Sequence, residues 1–471
     1  MMSAEQVDVV VLGVGTAGED LALRLASAGL DVVGITDELV GGECAYWACI
    51  PSKMMIRAGN LVQEARRVEG TAGHVDVTPE WAPVAARVRN EAAGGWDDTA
   101  AVARFEGRGG KLIRGRGTIT GPKTVVVGNR EFTARRGIVV ATGSKPVVPV
   151  IPGLSDHDYW TTHDAIQVED RPRSLIILGG GAVGCELGQV FARFGVEVTI
   201  VEGRNRLLAA EEPEASAALS AAFEAEGIIT RTGSTVARVD GDGEETVVTF
   251  DGGDRLRGER LLVATGRVPS LAGLGLEAAG IDTSSGAVPV DDHLRAADGI
   301  WALGDVTGTA MFTHVALYQA RIVEADILGE NPPAADYHAL PRVTFTDPEV
   351  GAVGMTEAQA RAAGIDARTT VKQLGATFRG WLHGPGNVGL VKLVADPAQG
   401  VLVGATAVGP SGGEVLGVLG VAVHSRIPLS ELRWMIYAFP TFYGAVGEAI
   451  GAYARGLQDV LDPDGDRALH D

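Results

Sequence analysis

The chain has 471 residues, too many for one hydrophobic core, so several domains are expected. Its 46% apolar and 21% charged residues describe an ordinary globular protein, and its net charge of −20 argues against nucleic-acid or anionic-membrane partners. With only three cysteines a cytoplasmic location is expected, where a disulfide is more often catalytic than structural.

The chain opens MMSAEQVDVVVLG, which runs directly into a strand pattern, so no signal peptide is expected. No run of apolar residues is long and uninterrupted enough for a membrane span. Val7 to Leu12 is a continuous apolar run, followed by GVGTAG, the helical EDLALRLASAG and DVVGIT. That is strand, glycine turn, helix and strand, a βαβ unit. Trp81 to Arg108 reads as long surface helices, and short strand-like runs fill Gly109 to Val140. PVVPVIPGL, from Pro146 to Leu154, is the natural linker into a second βαβ unit at Ser174 to Val201. Leu261 to Pro269 and Gly299 to Val306 each read as a strand ending at a glycine, and Pro332–Pro333 marks another boundary. Beyond it, VGLVKLVAD and VLVGATAVG read as antiparallel strands, followed by the helix pattern GEVLGVLGVAVHS.

Gly13, Gly15 and Gly18 form G-x-G-x-x-G straight after the first strand, and Gly179, Gly181 and Gly184 repeat it after the second. The first glycine permits a tight turn, the second the approach of a pyrophosphate, and the third close helix–strand packing. Each helix then turns its N-terminal N–H groups toward the phosphates. Two copies in strand–turn–helix context point to two nucleotide-binding units. In the second, Glu202 ends the next strand, placed to accept from a ribose 2′-OH and repel a 2′-phosphate, which favours NAD. Arg204 and Arg206 stand nearby and keep NADP open. In the first unit the equivalent position is Thr36, with Asp37 beside it as the candidate ribose contact.

GGECAYWACIPSK holds Cys44 and Cys49. Zinc is disfavoured and no metal is expected: the third cysteine, Cys185, lies in the second glycine-loop helix, and no histidine pair stands at ligand spacing. A redox couple is favoured over two buried thiols, because the proline after Cys49 marks a helix start, where the dipole stabilises a thiolate. Cys44 is expected in the preceding loop.

With these residues in place the chain resembles the flavin-dependent pyridine nucleotide–disulfide oxidoreductases over essentially its whole length. GGECAYWACIPSK resembles the family's redox signature, GIVVATGSKP and LLVATGRVP its two A-T-G strands, and IWALGDV its flavin-contacting segment. HVALYQARIVEADILG and PRVTFTDPEVGAVGMTEAQA resemble the family's next two segments, the latter opening its dimerisation domain. The resemblance implies an α/β fold: two Rossmann-like domains, for FAD (1–152 with 286–335) and NAD(P) (153–285), and a C-terminal α+β dimerisation domain (336–471). It implies that Cys49 is the charge-transfer thiol against the flavin, that Cys44 meets the substrate, and that Lys53 pairs with Glu186 near flavin N5. Asp305 would hold the ribityl chain, with further cofactor contacts from Gly42, Thr142, Gly143 and Gly266. Glycine at position 184, where NADP-dependent members often carry alanine, implies NAD. The enzyme would be a homodimer resembling the dihydrolipoamide dehydrogenases, passing electrons from NAD(P)H to a disulfide or another small acceptor.

The chain departs from the family at its C-terminal end. Disulfide-reducing members carry His-Pro-Thr-x-x-Glu, whose histidine, from the partner subunit, protonates the leaving thiolate. With a thiol pKa of about 8.5, such an acid is worth roughly 10²–10⁴-fold. Here the stretch is FPTFYGAVGE, with Phe439 and Gly444 in the histidine and glutamate positions. Tyr443 reads as interface packing, and Glu448 lies beyond the motif. Tyr46 and Trp47 replace small residues beside the disulfide, as packing or as a stacking surface for a flat acceptor. The tail DPDGDRALHD lacks a cysteine pair, which argues against mercuric ion. His314 and His424 read as structural. Two alternatives stand: a diaphorase reducing a quinone directly from flavin, and a non-catalytic flavoprotein subunit of a complex. Retention of Cys44, Cys49, Lys53 and Glu186 opposes the second.

Overall fold

The computed structural model describes residues 4–243 and 245–456, and the backbone of 459–460. Glu5–Leu12 runs parallel to both Val32–Thr36 and Arg130–Val140, at the centre of an eight-stranded sheet among the described residues. Val9 to Leu12 are at most 1% exposed. Strands covered on both faces need such unbroken apolar runs, which is why the sequence shows no alternation here. Lys111–Arg114 continues the sheet beyond Val32–Thr36, and Thr118–Gly121 and Thr124–Val127 join Arg130–Val140 as an antiparallel meander. On its other side Ile300–Ala302 pairs in parallel, with Ile300 opposite Ile138, so the chain returns to this sheet after the second unit.

The second unit repeats the arrangement in a four-stranded parallel sheet: Ile229–Arg231, Glu197–Val201, Ser174–Leu178 and Arg260–Val263. A three-stranded antiparallel sheet, Val236–Asp242, Glu245–Phe250 and Arg255–Gly258, packs beside it. Beyond residue 340, Leu390–Asp396 and Val401–Gly409 pair antiparallel, as expected, inside a six-stranded sheet covered by helix Gly412–His424. Among the described residues, no helix is long and apolar enough to cross a membrane.

Two expectations need correction. Residues 81–108 are not long helices: Trp81–Arg87 passes into a π-helical turn at Val88–Ala92, and Thr99–Gly107 starts afresh. Gly94 and Gly95, at φ +54° and +71°, break the run between them. The two A-T-G strands end at Val140 and Val263, before their glycines, and Ile300–Ala302 likewise ends before Gly304.

Helix Cys49–Arg66 packs against helix Ala182–Arg193, the helix of the second glycine loop. Arg193, 2% exposed, locks the crossing by bonding Glu226, Asp347 and Asn60. This contact between the two units positions the candidate site.

Candidate active site

The glycine loops divide their labour as the spacing requires. Gly13, at φ +92°, has no room for a Cβ, which would lie 2.4 Å from the Ala141 carbonyl oxygen. A Cβ at Gly18 would sit 2.1 Å from the oxygen of Gly13, so only glycine lets the helix come this close. Around Gly15 the nearest obstacle is the Gly42 Cα at 3.9 Å. The second loop repeats this: Gly179 and Gly184 are crowded, whereas nothing lies within 4 Å of a Cβ at Gly181. Open space also faces Gly143 and Gly266. Thr142 donates to the carbonyl of Ser270 at 2.9 Å, and Asp305 accepts the Ser144 hydroxyl at 2.6 Å. Two phosphate-sized approaches to backbone, each at the start of a 12-residue helix, fit two dinucleotides.

Glu202 stands just past its strand with one carboxylate oxygen accepting the Gly180 N–H at 2.6 Å and the other the Arg204 N–H at 2.8 Å. Arg206 turns away, bonding the carbonyls of Leu208 and Ala209 and the hydroxyl of Ser216. Asp37 is an exposed partner of Arg116 at 3.0 Å.

Cys44 and Cys49 are joined in a disulfide, with Cα atoms 4.7 Å apart. Cys49 is the first residue of its 18-residue helix, as expected. Cys44 lies not in a loop but in a short helix, Gly42–Tyr46, entered through left-handed Gly41. The Cys49 Sγ is 3.3 Å from the Thr313 hydroxyl, which opens helix Thr313–Leu328. One turn on from Cys49, Lys53 donates to Oε2 of Glu186 at 2.8 Å, and Oε1 of Glu186 accepts the Phe345 N–H at 2.9 Å. The Glu186 side chain is 6% exposed, so both bonds are needed to hold its charge there. Cys185, beside it, is buried and its thiol is pushed far up by burial first and by the Glu186 and Glu202 charges next, which leaves it inert.

A polar chain links the disulfide segment to the rest of the site. Oε1 of Glu43 meets His163 Nε2 at 2.8 Å, while Oε2 is buried without a hydrogen bond, although the Arg267 guanidinium is 3.2 Å away. Arg267 instead donates to the hydroxyl and carbonyl of Ser144, and Ser144 donates to Asp305. Burial raises the Glu43 carboxyl, but the His163 hydrogen bond and the Arg267 charge outweigh it and hold the group below its ordinary value. Trp47 stacks on His163 at 4.3 Å and on Trp96 at 5.6 Å, and Tyr46 is buried. The two aromatics therefore serve packing.

The C-terminal departure is visible as geometry. Phe439 is 74% exposed and edges against Phe378 at 5.2 Å. Tyr443 uses its hydroxyl oxygen to accept the Ala438 N–H, bracing the loop that carries Phe439. Gly444 starts helix Gly444–Ala454, and Glu448 pairs with Lys372 at 3.1 Å. Trp381, Trp434 and Ile436 are 68–93% exposed. His314 Nε2 donates to the carbonyl of Pro341 at 2.9 Å, and His424 stacks on His338, both structural roles. The tail from 461 lies outside the described residues.

Residues 7–320 match the pyridine nucleotide-disulphide oxidoreductase family, and residues 340–450 match its dimerisation domain. The chain belongs to this family. It is 33% identical over 458 residues to dihydrolipoyl dehydrogenase of Chlorobaculum tepidum, covering 95% of this chain and 97% of that protein. It is also 33% identical over 436 residues to mercuric reductase of Bacillus cereus, covering 90% and 68%. Among solved structures, LpdA from Mycobacterium tuberculosis superposes with a TM-score of 0.84 at 28% identity, covering 96% of this chain and all of that one. The HOCl-induced flavoprotein disulfide reductase RclA from Escherichia coli gives 0.83 at 28%, covering 94% and 99%. Members of this oxidoreductase family use FAD and NAD(P)H, and the two open glycine loops and the Asp305 carboxylate fit those cofactors. The dimerisation domain supports a homodimer. The enzyme is an FAD- and NAD(P)H-dependent disulfide oxidoreductase.

Glu43, His163, Ser144, Arg267 and Thr313 were not singled out by sequence. Glu43 carried a signal, an acidic residue directly before Cys44. Thr313 carried none, since its partner is 264 residues away.

Proposed function

We propose that the physiological acceptor is one with no thiolate leaving group for the enzyme to protonate, a quinone foremost, with NADH as the donor. The observation that carries this reading is Phe439, a hydrocarbon side chain where the resemblance calls for an acid. Comparing wild-type turnover with lipoamide and with a quinone tests it.

The first unit (1–152 with 286–335) holds FAD through Gly13, Gly15, Gly18, Gly42, Thr142, Gly143 and Asp305, with Asp37 at the adenosine end. The second (153–285) holds the nicotinamide nucleotide through Gly179, Gly181, Gly184, Glu202 and Gly266. Bound FAD would supply the hydride acceptor between the nicotinamide and the final acceptor. Lys53, held by Glu186, presents a fixed positive charge where negative charge develops. Glu202 accepts from the ribose 2′-OH, and Arg206 is committed elsewhere, which supports NADH over NADPH. Residues 336–471 form the dimer, and a second copy covers the exposed aromatic face around Phe439.

A second reading keeps a disulfide as acceptor. The intact Cys44–Cys49 pair at a helix N-terminus supports it. Mercuric ion is not proposed: the chain's remaining cysteine is the buried Cys185.

A further inference from the structure

We infer that Thr313 is a catalytic residue of the disulfide, the hydrogen-bond donor that holds Cys49 as a thiolate once the pair is reduced. The Thr313 Oγ1 lies 3.3 Å from the Cys49 Sγ. A disulfide sulfur carries no hydrogen, so the hydroxyl is already the donor in the oxidised state. Among the described residues the Thr313 side chain has no other hydrogen-bond partner, and this donor is therefore free for the sulfur.

Reduction strengthens the contact. NAD(P)H supplies two electrons and one proton, the Sγ–Sγ bond breaks, Cys44 takes the proton as a thiol, and Cys49 keeps the second electron pair as a thiolate. An ionised acceptor makes a hydrogen bond roughly twice as strong as a neutral one. Thr313 thus stabilises the reduced, charged state more than the oxidised one, and it biases the charge toward Cys49 rather than Cys44. The placement is specific: the sulfur at the first position of an 18-residue helix meets the hydroxyl at the first position of a 16-residue helix. Both helix N-termini carry positive partial charge, which adds to the same preference. Lys53, one turn along, is directed to Glu186 instead. No other described side chain hydrogen-bonds Cys49.

The inference rests on the proposed role of Cys49, and the test separates the two. In the FAD-loaded Cys44→Ser protein, Cys49 is a lone thiol, and the buried Cys185 stays protonated. Its thiolate is followed against pH by the long-wavelength charge-transfer absorbance and by thiolate ultraviolet absorbance. Adding Thr313→Val should raise the Cys49 pKa by about one unit, a tenfold loss of thiolate on the acid side, because a bond to the charged form is removed. Thr313→Ala should do the same, which covers a failure of the valine variant to fold, and Thr313→Ser should restore the original titration. If valine and alanine variants titrate like the parent, or serine behaves like valine, the inference is wrong while the role of Cys49 stands. If no thiolate forms with Thr313 intact, both are wrong.

Discussion

The Lys53 ammonium lies 2.8 Å from Oε2 of Glu186, joining the helix of the disulfide to the helix of the second glycine loop across 133 residues of sequence. The same carboxylate anchors the backbone of Phe345, which lies in the dimerisation domain. Three parts of the molecule therefore meet on one buried charge. Glu186→Gln keeps the shape but lets Lys53 wander, and it should slow flavin reduction by NADH at least about tenfold, a loss of ~1.4 kcal/mol in the transition state. FAD content should be unchanged. Stopped-flow reduction of the purified variant checks this, and an unaltered rate would mean that Lys53 needs no orientation.

Glu202 should select the nucleotide. Its carboxylate is fixed by two backbone N–H groups, and a 2′-phosphate would meet it directly. Wild-type kcat/KM should favour NADH over NADPH by more than about tenfold, a difference of a few kcal/mol at most. Glu202→Ala should narrow that ratio. Arg206→Ala should lower the thermal midpoint without changing the ratio, since Arg206 ties residues 208, 209 and 216 together. Equal use of both nucleotides by the wild type would remove Glu202 as the selector.

The βαβ units, their parallel pairing and the helix start at Cys49 were legible because each is written in local pattern: apolar runs, glycine spacing, a proline. What escaped is non-local. Glu43, His163, Arg267 and Ser144 come from four separated segments, and only folding makes them neighbours. The broken helix at 81–108 escaped for a different reason. Its alanine-rich periodicity is helical on both sides, and the pair Gly94–Gly95 carries the break at left-handed angles. Of the two readings of Trp47, packing or a stacking surface for a flat acceptor, its contacts with Trp96 and His163 support packing.

The Glu43 clamp should make stability depend on pH in one direction. Its folded carboxyl lies below the ordinary value, so its contribution is complete above the unfolded value of about 4.3 and is lost as pH falls through the lower folded value. At 38% side-chain exposure the effect is screened, and Glu43→Gln should cost no more than ~1 kcal/mol at pH 7. The gap between variant and wild type should close on acidification below that range. Thermal denaturation across pH decides it; a gap that widens in acid contradicts the clamp.

Lys392 should be a second stability determinant, remote from the redox site. Its side chain is 2% exposed and contacts Glu212, Glu214 and Glu357 at 2.8–3.0 Å, tying the second unit to the C-terminal sheet. Burial works against its charge, but the three carboxylates prevail and hold its pKa above the ordinary value. Lys392→Met strands those carboxylates and should cost ~3–5 kcal/mol. Because the folded pKa is raised, the contribution is complete below the unfolded lysine value of about 10.4, and the cost should shrink as pH rises above it. A cost independent of pH would show that packing, not charge, is what Lys392 supplies.

The loop of Phe439 can be rebuilt to ask for the missing acid. A Cβ at Gly444 would have its nearest neighbour, Thr441 Oγ1, at 3.4 Å, so a glutamate can begin there without a clash. Phe439→His alone should restore little disulfide turnover, because the ring has no orienting carboxylate. Phe439→His with Gly444→Glu should raise it by more than the two single changes combined, as expected of groups that act as a unit. Quinone turnover should be nearly indifferent to the pair.

The most direct test is wild-type kcat/KM with NADH for lipoamide against a set of quinones, measured in one buffer. Without an enzymic acid, lipoamide should fall behind the best quinone by roughly the 10²–10⁴-fold that general acid catalysis supplies. Quinone reduction should also persist in Cys44→Ser, because it needs no leaving thiolate. A wild-type enzyme that reduces lipoamide faster than every quinone tested would contradict the account and show that another group delivers the proton Phe439 cannot.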